Sequence, residues 1–402
     1  MLRWAFCTGA FALALQTSAL VAQQSRGWGD ELGAPLPPVN SLPGAAAAPN
    51  AWPAPPLLDP PKPLRAIYVN AWAFGGRRFD QLIKLADTTE INAFVIDVKD
   101  DTGYLTYRSS VPTAIEIGAS DQRRTHDTER RLRTLIEHGI HPIARIVVAK
   151  DPLLASRKPA WSIQQAGGGL WHDRRGFAWV DAFNDSVWIY AAQLAQEAVR
   201  MGFAEVQYDY VRFPDESAER MATARFMARD SGVTKRQGVT HGLRILRDRT
   251  KPLGVPFTID VFGLTTTATG DMGIGQYWED LVTTADVVLP MVYPSHYYRG
   301  VFDVRYPNSE PYHVVRRALE DGIKRSGPLG RSAEIRPYLQ AFTLGPPRYS
   351  PVEVRAQMRA AQDLGIESWV LWNPRSAYDP GIFRRKTSAL SSADREGPKA
   401  AN

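Results

Sequence analysis

The run Glu205-Val206-Gln207-Tyr208-Asp209-Tyr210-Val211-Arg212-Phe213-Pro214 brings an acid, an arginine and two tyrosines to the end of a β-rich stretch. Two more acids stand in comparable settings, Asp260 in Thr258-Ile259-Asp260-Val261-Phe262 and Asp97 in Val95-Ile96-Asp97-Val98-Lys99-Asp100-Asp101. Carboxyl groups so placed suit the cleavage of a glycosidic bond. One protonates the leaving oxygen, and a second serves as nucleophile or activates water. Asp209 is the expected nucleophile or stabilising carboxylate. Asp260, whose apolar neighbours would raise its pKa, is the expected acid/base, with Asp97 as the alternative to it. Strand alternation sets Gln207 and Asp209 on one face and Arg212 on the other, unless the strand ends first. A nearby cation would hold Asp209 ionised. Lys99 shares the strand face of Asp97 and is expected to pair with it. The competing role for each acid is structural: an Asp–Arg pair, a helix cap or a strand-end hydrogen bonder. Asp100 and Asp101 are expected to shape the turn at Gly103.

Other strand ends offer sugar-binding groups. Pro290-Met291-Val292-Tyr293-Pro294-Ser295-His296-Tyr297-Tyr298 supplies aromatic faces and, in His296, a partner for a hydroxyl. Gln340, Trp372 and Asn373 add amides for sugar hydroxyls and a stacking platform. Arg145 and Asn70 complete an expected ring of polar groups. Other chemistries lack their signatures. The seven histidines form no His-x-His pair and no His-Glu-x-x-His, which argues against a zinc site. There is no Gly-x-Ser-x-Gly elbow and no phosphate-binding glycine loop. No metal and no cofactor is expected.

The elements that must position these groups are eight short apolar runs: Ala66–Trp72, Ala93–Lys99, Pro142–Ala149, Glu205–Val211, Phe257–Phe262, Val287–Val292, Arg336–Phe342 and Ser368–Trp372. Several are continuously apolar, as in a parallel sheet covered by helices. Helical patterns separate them. Phe79, Leu82, Ile83 and Ala86 share one face, as do Val187, Ala191, Leu194, Ala195 and Ala198. Ser350-Pro351-Val352-Glu353 reads as a capping box with proline at the first helical position, and Gly365 follows the helix it opens. Strand and helix alternating eight times predict an α/β fold, a (β/α)₈ TIM barrel with long βα loops. An open doubly wound sheet is the second choice, disfavoured by the absence of a Gly-rich turn after the first strand. The longest loop, about residues 151–185, carries Trp161, Trp171, His172 and Trp179, aromatics that suit a polymer cleft.

Of the 402 residues, only 64–385 are expected to form the barrel. Residues 1–22 read as a secretory signal peptide, with cleavage after Ala22. An uncleaved anchor is the alternative. The single cysteine, Cys7, lies in this leader behind a poor lipobox, so the mature chain would have no disulfide and no cysteine nucleophile. Residues 23–63 hold eleven prolines and an Ala45–Ala48 run, the composition of a disordered or semi-rigid spacer. Residues 386–402 read as a frayed tail. The net charge of +6 is spread without a Lys/Arg block, so nucleic acid is not an expected partner. A basic protein outside the membrane can still associate with anionic envelope polymers. Localisation is expected to be periplasmic or extracellular, with no membrane span after cleavage.

Four motifs taken in order, Val95–Asp101, Ala144–Pro152, Gln207–Pro214 and Pro290–Tyr297, resemble those of the bacterial putative glycosyl hydrolase domain family, over about Leu64 to Arg384. The resemblance implies a TIM barrel distantly similar to α-amylase-like glycosidases. In those enzymes the nucleophile is an Asp ending the fourth strand, which corresponds to Asp209. The acid there is a Glu ending the fifth strand, where this chain has Asp260. Gln340 occupies the region of their seventh-strand Asp. The expected activity is hydrolysis of an extracytoplasmic polysaccharide or oligosaccharide by paired aspartates. The alternatives are an envelope protein that binds a glycan in the same cleft without turnover, and a scaffold with a dead cleft.

Overall fold

The computed structural model describes residues 58–330 and 332–386. The expected signal peptide, most of the spacer and nearly all of the tail lie outside the described residues. Eight parallel strands close into a barrel: β1 (Arg65–Val69), β2 (Ala93–Lys99), β3 (His141–Val147), β4 (Glu205–Asp209), β5 (Phe257–Phe262), β6 (Val287–Met291), β7 (Tyr338–Gln340) and β8 (Trp369–Trp372). Each pairs with its sequence neighbours, and β1 pairs with β8 through Arg65↔Trp369. The β6–β7 joint is short. Tyr338 faces Met291, and a two-residue strand, Glu334–Ile335, pairs with the base of β6. All eight expected runs are strands, mostly shorter than predicted. β1 stops at Val69 because Asn70 turns away as a helix cap, its Oδ1 accepting from Ala73 N–H at 2.8 Å. β4 stops at Asp209 because Tyr210 adopts a left-handed φ of 54°.

Among the described residues, seven helices of seven residues or more cover the barrel: α1 (Arg78–Thr88), α2 (Thr128–Glu137), α3 (Asp185–Met201), α4 (Lys235–Thr250), α5 (Trp278–Thr284), α6 (Pro311–Ser326) and α7 (Pro351–Gln362). Their ends follow local chemistry. Asn184 caps α3, which Gly202 terminates in left-handed conformation. The Ser350/Glu353 capping box opens α7 as the sequence suggests, satisfying backbone donors that the first turn leaves over. The predicted apolar faces of α1 and α3 are buried against outward strand residues such as Ile96, Ile146, Val206 and Val261. Each such side chain contributes about 1.5–3 kcal/mol of burial.

Inward-facing residues form a second cluster that includes Ala66, Tyr68, Val95, Ile143, Leu289, Tyr338 and Val370. Below it, near the N-terminal strand ends, Arg336 Nη1 donates to buried Glu205 at 2.7 Å. His141 lies 3.8 Å from the same carboxylate. Burial, with Arg336 adding to it, pushes the imidazole down to about 4, so it stays neutral at physiological pH. Residues 60–63 cross this base, lining with Ser332–Arg336 and Ile366–Ser368 a groove of about 1100 Å³. The loop after β3 folds back over the opposite end. Its Gln164–Gln165 pairs with Ala224–Arg225 of the β4 loop. No described helix is long and apolar enough to cross a membrane.

Candidate active site

Register decides which polar side chains meet. Arg145 on β3 sits opposite Asp97 on β2 and Gln207 on β4. All three therefore point into the barrel near its C-terminal mouth. The Arg145 guanidinium lies among the acids. Its Nη1 donates to Asp97 Oδ1 at 2.5 Å. Nη2 and Nε donate to Asp209 Oδ2 at 2.5 and 3.1 Å. Asp260 Oδ2 is 3.8 Å from Nε. Thus Asp97, Asp209 and Asp260, the three acids singled out in the sequence, converge on one cation, which the sequence places only among the ring of polar groups at the strand ends.

The three carboxyls are not equivalent. Asp209 also accepts from Tyr210 N–H at 2.6 Å, and these are the contacts of an ionised carboxylate. Asp260 is driven well above the usual carboxylate range, first by burial and then by the negative charge of Asp209, with Arg145 pulling the other way. Asp260 Oδ1 receives no N–H or O–H donor among the described residues, which suits an oxygen that carries a proton. Asp260 Oδ2 accepts from Gln207 Nε2 at 3.0 Å. Burial raises Asp97 to about 6, against the opposing pull of Arg145 and of the Tyr68 hydroxyl, which donates to it at 2.5 Å.

Tyr68 and Tyr338 belong to this centre, although their motifs do not announce it. Tyr68 stacks on Trp372 at 3.7 Å between ring centroids, and Arg145 lies over both rings at 5.5 and 5.0 Å. Tyr338 Oη accepts from Gln207 Nε2 at 2.6 Å. Inward alternation along β1 and β7 would have found them. Tyr293 is buried beside Asp260 and Asp209. Burial first, and then those two acids, raise its phenol, whose hydroxyl has no partner among the described residues. The acids themselves are 2, 4 and 1% exposed, for Asp97, Asp209 and Asp260. Half-buried Tyr210, Phe262, Met291, Phe342 and Trp372 surround them.

Several expected binding residues are placed elsewhere. Lys99 does not pair with Asp97. A bulge between Asp97 and Lys99 breaks the alternation and turns the lysine outward. There it meets Asp151 at 2.6 Å and the face of Tyr190 on α3. Arg212 is not the cation on Asp209. It is folded against Trp179, Tyr210 and Phe262. Asn70 and Asn373 tie the mouth's backbone together, donating to Pro374 O and Ala341 O at 2.8 and 2.6 Å. Gln340 is buried and accepts from Ser295 N–H at 3.0 Å. His296 is exposed at the rim, edge-on to Tyr293 and Phe342. Asp100 shapes its turn by accepting from Thr102 N–H at 2.9 Å, with Gly103 left-handed at φ 89°. Among the described residues no group of acids, histidines or cysteines is arranged to hold a metal ion.

A closed parallel barrel with carboxyls gathered at its C-terminal mouth defines a glycosidase-like TIM barrel. The chain belongs to the family described as "Putative glycosyl hydrolase domain", whose model matches residues 66–378. Among solved structures, the glycoside hydrolase domain of PgaB (BpsB) from Bordetella bronchiseptica is similar at 15% identity, over 78% of this chain and 94% of that one, with a TM-score of 0.55. That likeness shows the fold. A hypothetical protein from Ruminiclostridium thermocellum is 36% identical over 46% of this chain and 92% of its own, with a TM-score of 0.41. The α-galactosidase TtGalA from Thermus thermophilus is 15% identical over 81% of this chain and 60% of its own, with a TM-score of 0.47. No curated protein matches the sequence.

Proposed function

We propose that the domain hydrolyses a glycosidic bond in a carbohydrate, with Asp260 as proton donor and Asp209 as the carboxylate facing the developing positive charge. The observation that carries this is the convergence of two buried carboxyls on Arg145, Asp209 at 2.5 Å and Asp260 at 3.8 Å. Burial and its neighbour's charge push Asp260 above the usual carboxylate range, and Asp209 accepts from Arg145 and from Tyr210 N–H. Such a division of two carboxyls is what acid-assisted cleavage requires. Asp97 serves to hold Arg145 from the far side. Tyr293 Oη and Gln207 Oε1, buried without partners among the described residues, are groups that sugar hydroxyls would satisfy. Trp372 supplies an aromatic face at the mouth.

The N-terminal segment 1–22, read as a secretory leader, supports action outside the cytoplasm. Recovery of the protein from the cytoplasmic fraction alone would remove that part of the reading. Glycan binding without turnover is the second reading, favoured by how little of the three acids is exposed. A reducing-sugar screen over polysaccharides and oligosaccharides separates the two. Wild type should release sugar, and Asp209→Asn should lose at least about 10³-fold of the rate while keeping the circular dichroism spectrum of the folded barrel. Full activity in that variant would refute the assignment. A bound glycan left intact by wild type would establish the second reading.

A further inference from the structure

Two arginines are buried at the mouth, and they are held differently. Arg145 has carboxylates on three of its nitrogens. Arg212, 7% exposed, has no carboxylate within 4.0 Å among the described residues. Its charge lies instead over Phe262, Tyr210 and Trp179, at 4.3, 4.7 and 5.2 Å from the ring centroids. Its Nη1 donates to Phe213 O at 3.0 Å, whereas Nε and Nη2 have no hydrogen-bond partner among the described residues and are not sealed from solvent. Of the nearby acids, Asp215 is exposed and lies beyond 4.0 Å from the guanidinium. Asp209 is committed to Arg145. Asp173 accepts from Trp179 Nε1 at 2.9 Å and from two backbone amides. Burying a guanidinium without a counter-charge is costly, and a flat aromatic box leaves its fork free for an oxyanion.

We propose that the sugar unit recognised at this mouth carries an oxyanion substituent, a uronic-type carboxylate or an ester sulfate, and that Arg212 grips it through Nε and Nη2. The proposal rests on the reading of the mouth as a carbohydrate site, and it names the class of carbohydrate. Rings fix the plane of the guanidinium, so the bidentate geometry is set before the ligand arrives. Burial lowers Arg212 from the usual arginine value even though Tyr210, Asp209 and Asp215 pull it up, and an arriving anion would relieve that strain. Arg175, exposed on the β3 loop and without an ion pair among the described residues, is close enough to depress His296 electrostatically, after burial. It would draw the same anion toward the rim.

Affinity electrophoresis of the full chain tests this in gels containing pectate, alginate, hyaluronan, carrageenan, methyl-esterified pectin, dextran or pullulan. At least one acidic polymer should retard the protein, and the neutral gels should not. Where pectate is bound, its methyl ester should bind poorly, a comparison that needs no mutation. Pectate, alginate and hyaluronan report carboxylate, and carrageenan reports sulfate. Arg212→Gln should weaken retardation roughly tenfold to a hundredfold, the loss of a charge-assisted fork. Arg317→Gln, which removes the same charge from the outside of α6, should leave it unchanged. Retardation by no acidic polymer, equal retardation by esterified pectin, or equal losses in the two arginine variants would overturn the proposal. Retention of an acidic polymer that wild type never cleaves would leave this inference standing while removing the hydrolytic one. Cleavage of a neutral glycan at equal rates by wild type and Arg212→Gln would do the reverse.

Discussion

Replacing Arg145 by methionine removes one cation and strands three carboxyls. Asp97 and Asp209 lose charge-assisted hydrogen bonds of 2.5 Å, and Asp260 loses a positive charge 3.8 Å away. Taking one partner from a buried ion pair costs about 3–5 kcal/mol. In a domain of this size that corresponds to a melting temperature lower by roughly 4–7 °C. The loss must depend on pH. Burial already lifts Asp97 from 3.8 to about 6 in the presence of Arg145. Without the guanidinium it rises further, and Asp260 with it. A carboxyl whose folded pKa is raised binds more protons folded than unfolded. Its contribution to stability is therefore most favourable below the unfolded value near 3.8 and declines as pH climbs through the folded value. The penalty of Arg145→Met should thus be largest near pH 7.5 and shrink to less than half near pH 4.5, where the stranded acids are neutral. Thermal melts followed by circular dichroism at the two pH values measure it. A drop of equal size at both would mean that Arg145 acts through packing against Tyr68 and Trp372, and the electrostatic account of the site would be lost.

On aryl glycosides of the sugar identified by screening, Asp260→Asn should lose about 10²–10⁴-fold with a poor leaving group but stay within about tenfold for dinitrophenol, which needs no proton. Equal losses would remove Asp260 as the acid. Tyr68→Phe deletes a hydrogen bond that lowers the Asp97 pKa, so a carboxyl-carbon NMR titration should place Asp97 about one unit higher. An unchanged or lower value would contradict the geometry. In α4, a Cβ on Gly242 would stand 2.0 Å from the Trp188 ring, so Gly242→Ala should cost about 2 kcal/mol in denaturant unfolding despite its better helix propensity. A neutral outcome would show that α3 and α4 can move apart there.

The barrel was legible because each strand is a nearly unbroken apolar run and the helix faces keep their period. The acids were legible too, since Asp97, Asp209 and Asp260 each interrupt such a run on its inward side. What stayed hidden was pairing across strands. Arg212 is three residues from Asp209, and Arg145 is sixty-four residues away. Yet register makes Arg145 the neighbour, because β3 and β4 lie side by side while Arg212 follows a left-handed turn at Tyr210. Lys99 was misplaced for a related reason, a one-residue bulge that reverses the face of everything after it. Tyr68 and Tyr338 were overlooked because a tyrosine in an apolar strand looks like core until its hydroxyl is seen to meet Asp97 or Gln207.

Both ends of the described chain leave from the base of the barrel. Pro60–Pro63 lie across it, and at the other end Arg385 pairs with Thr89 while Lys386 N–H donates to Thr88 O at 3.1 Å, behind β2. The rim of Tyr210, Phe262 and Trp372 is on the far side. A support, fusion partner or affinity handle joined at either end of this domain would consequently hold it base-down, with the mouth presented outward and its approach to a long polymer unobstructed.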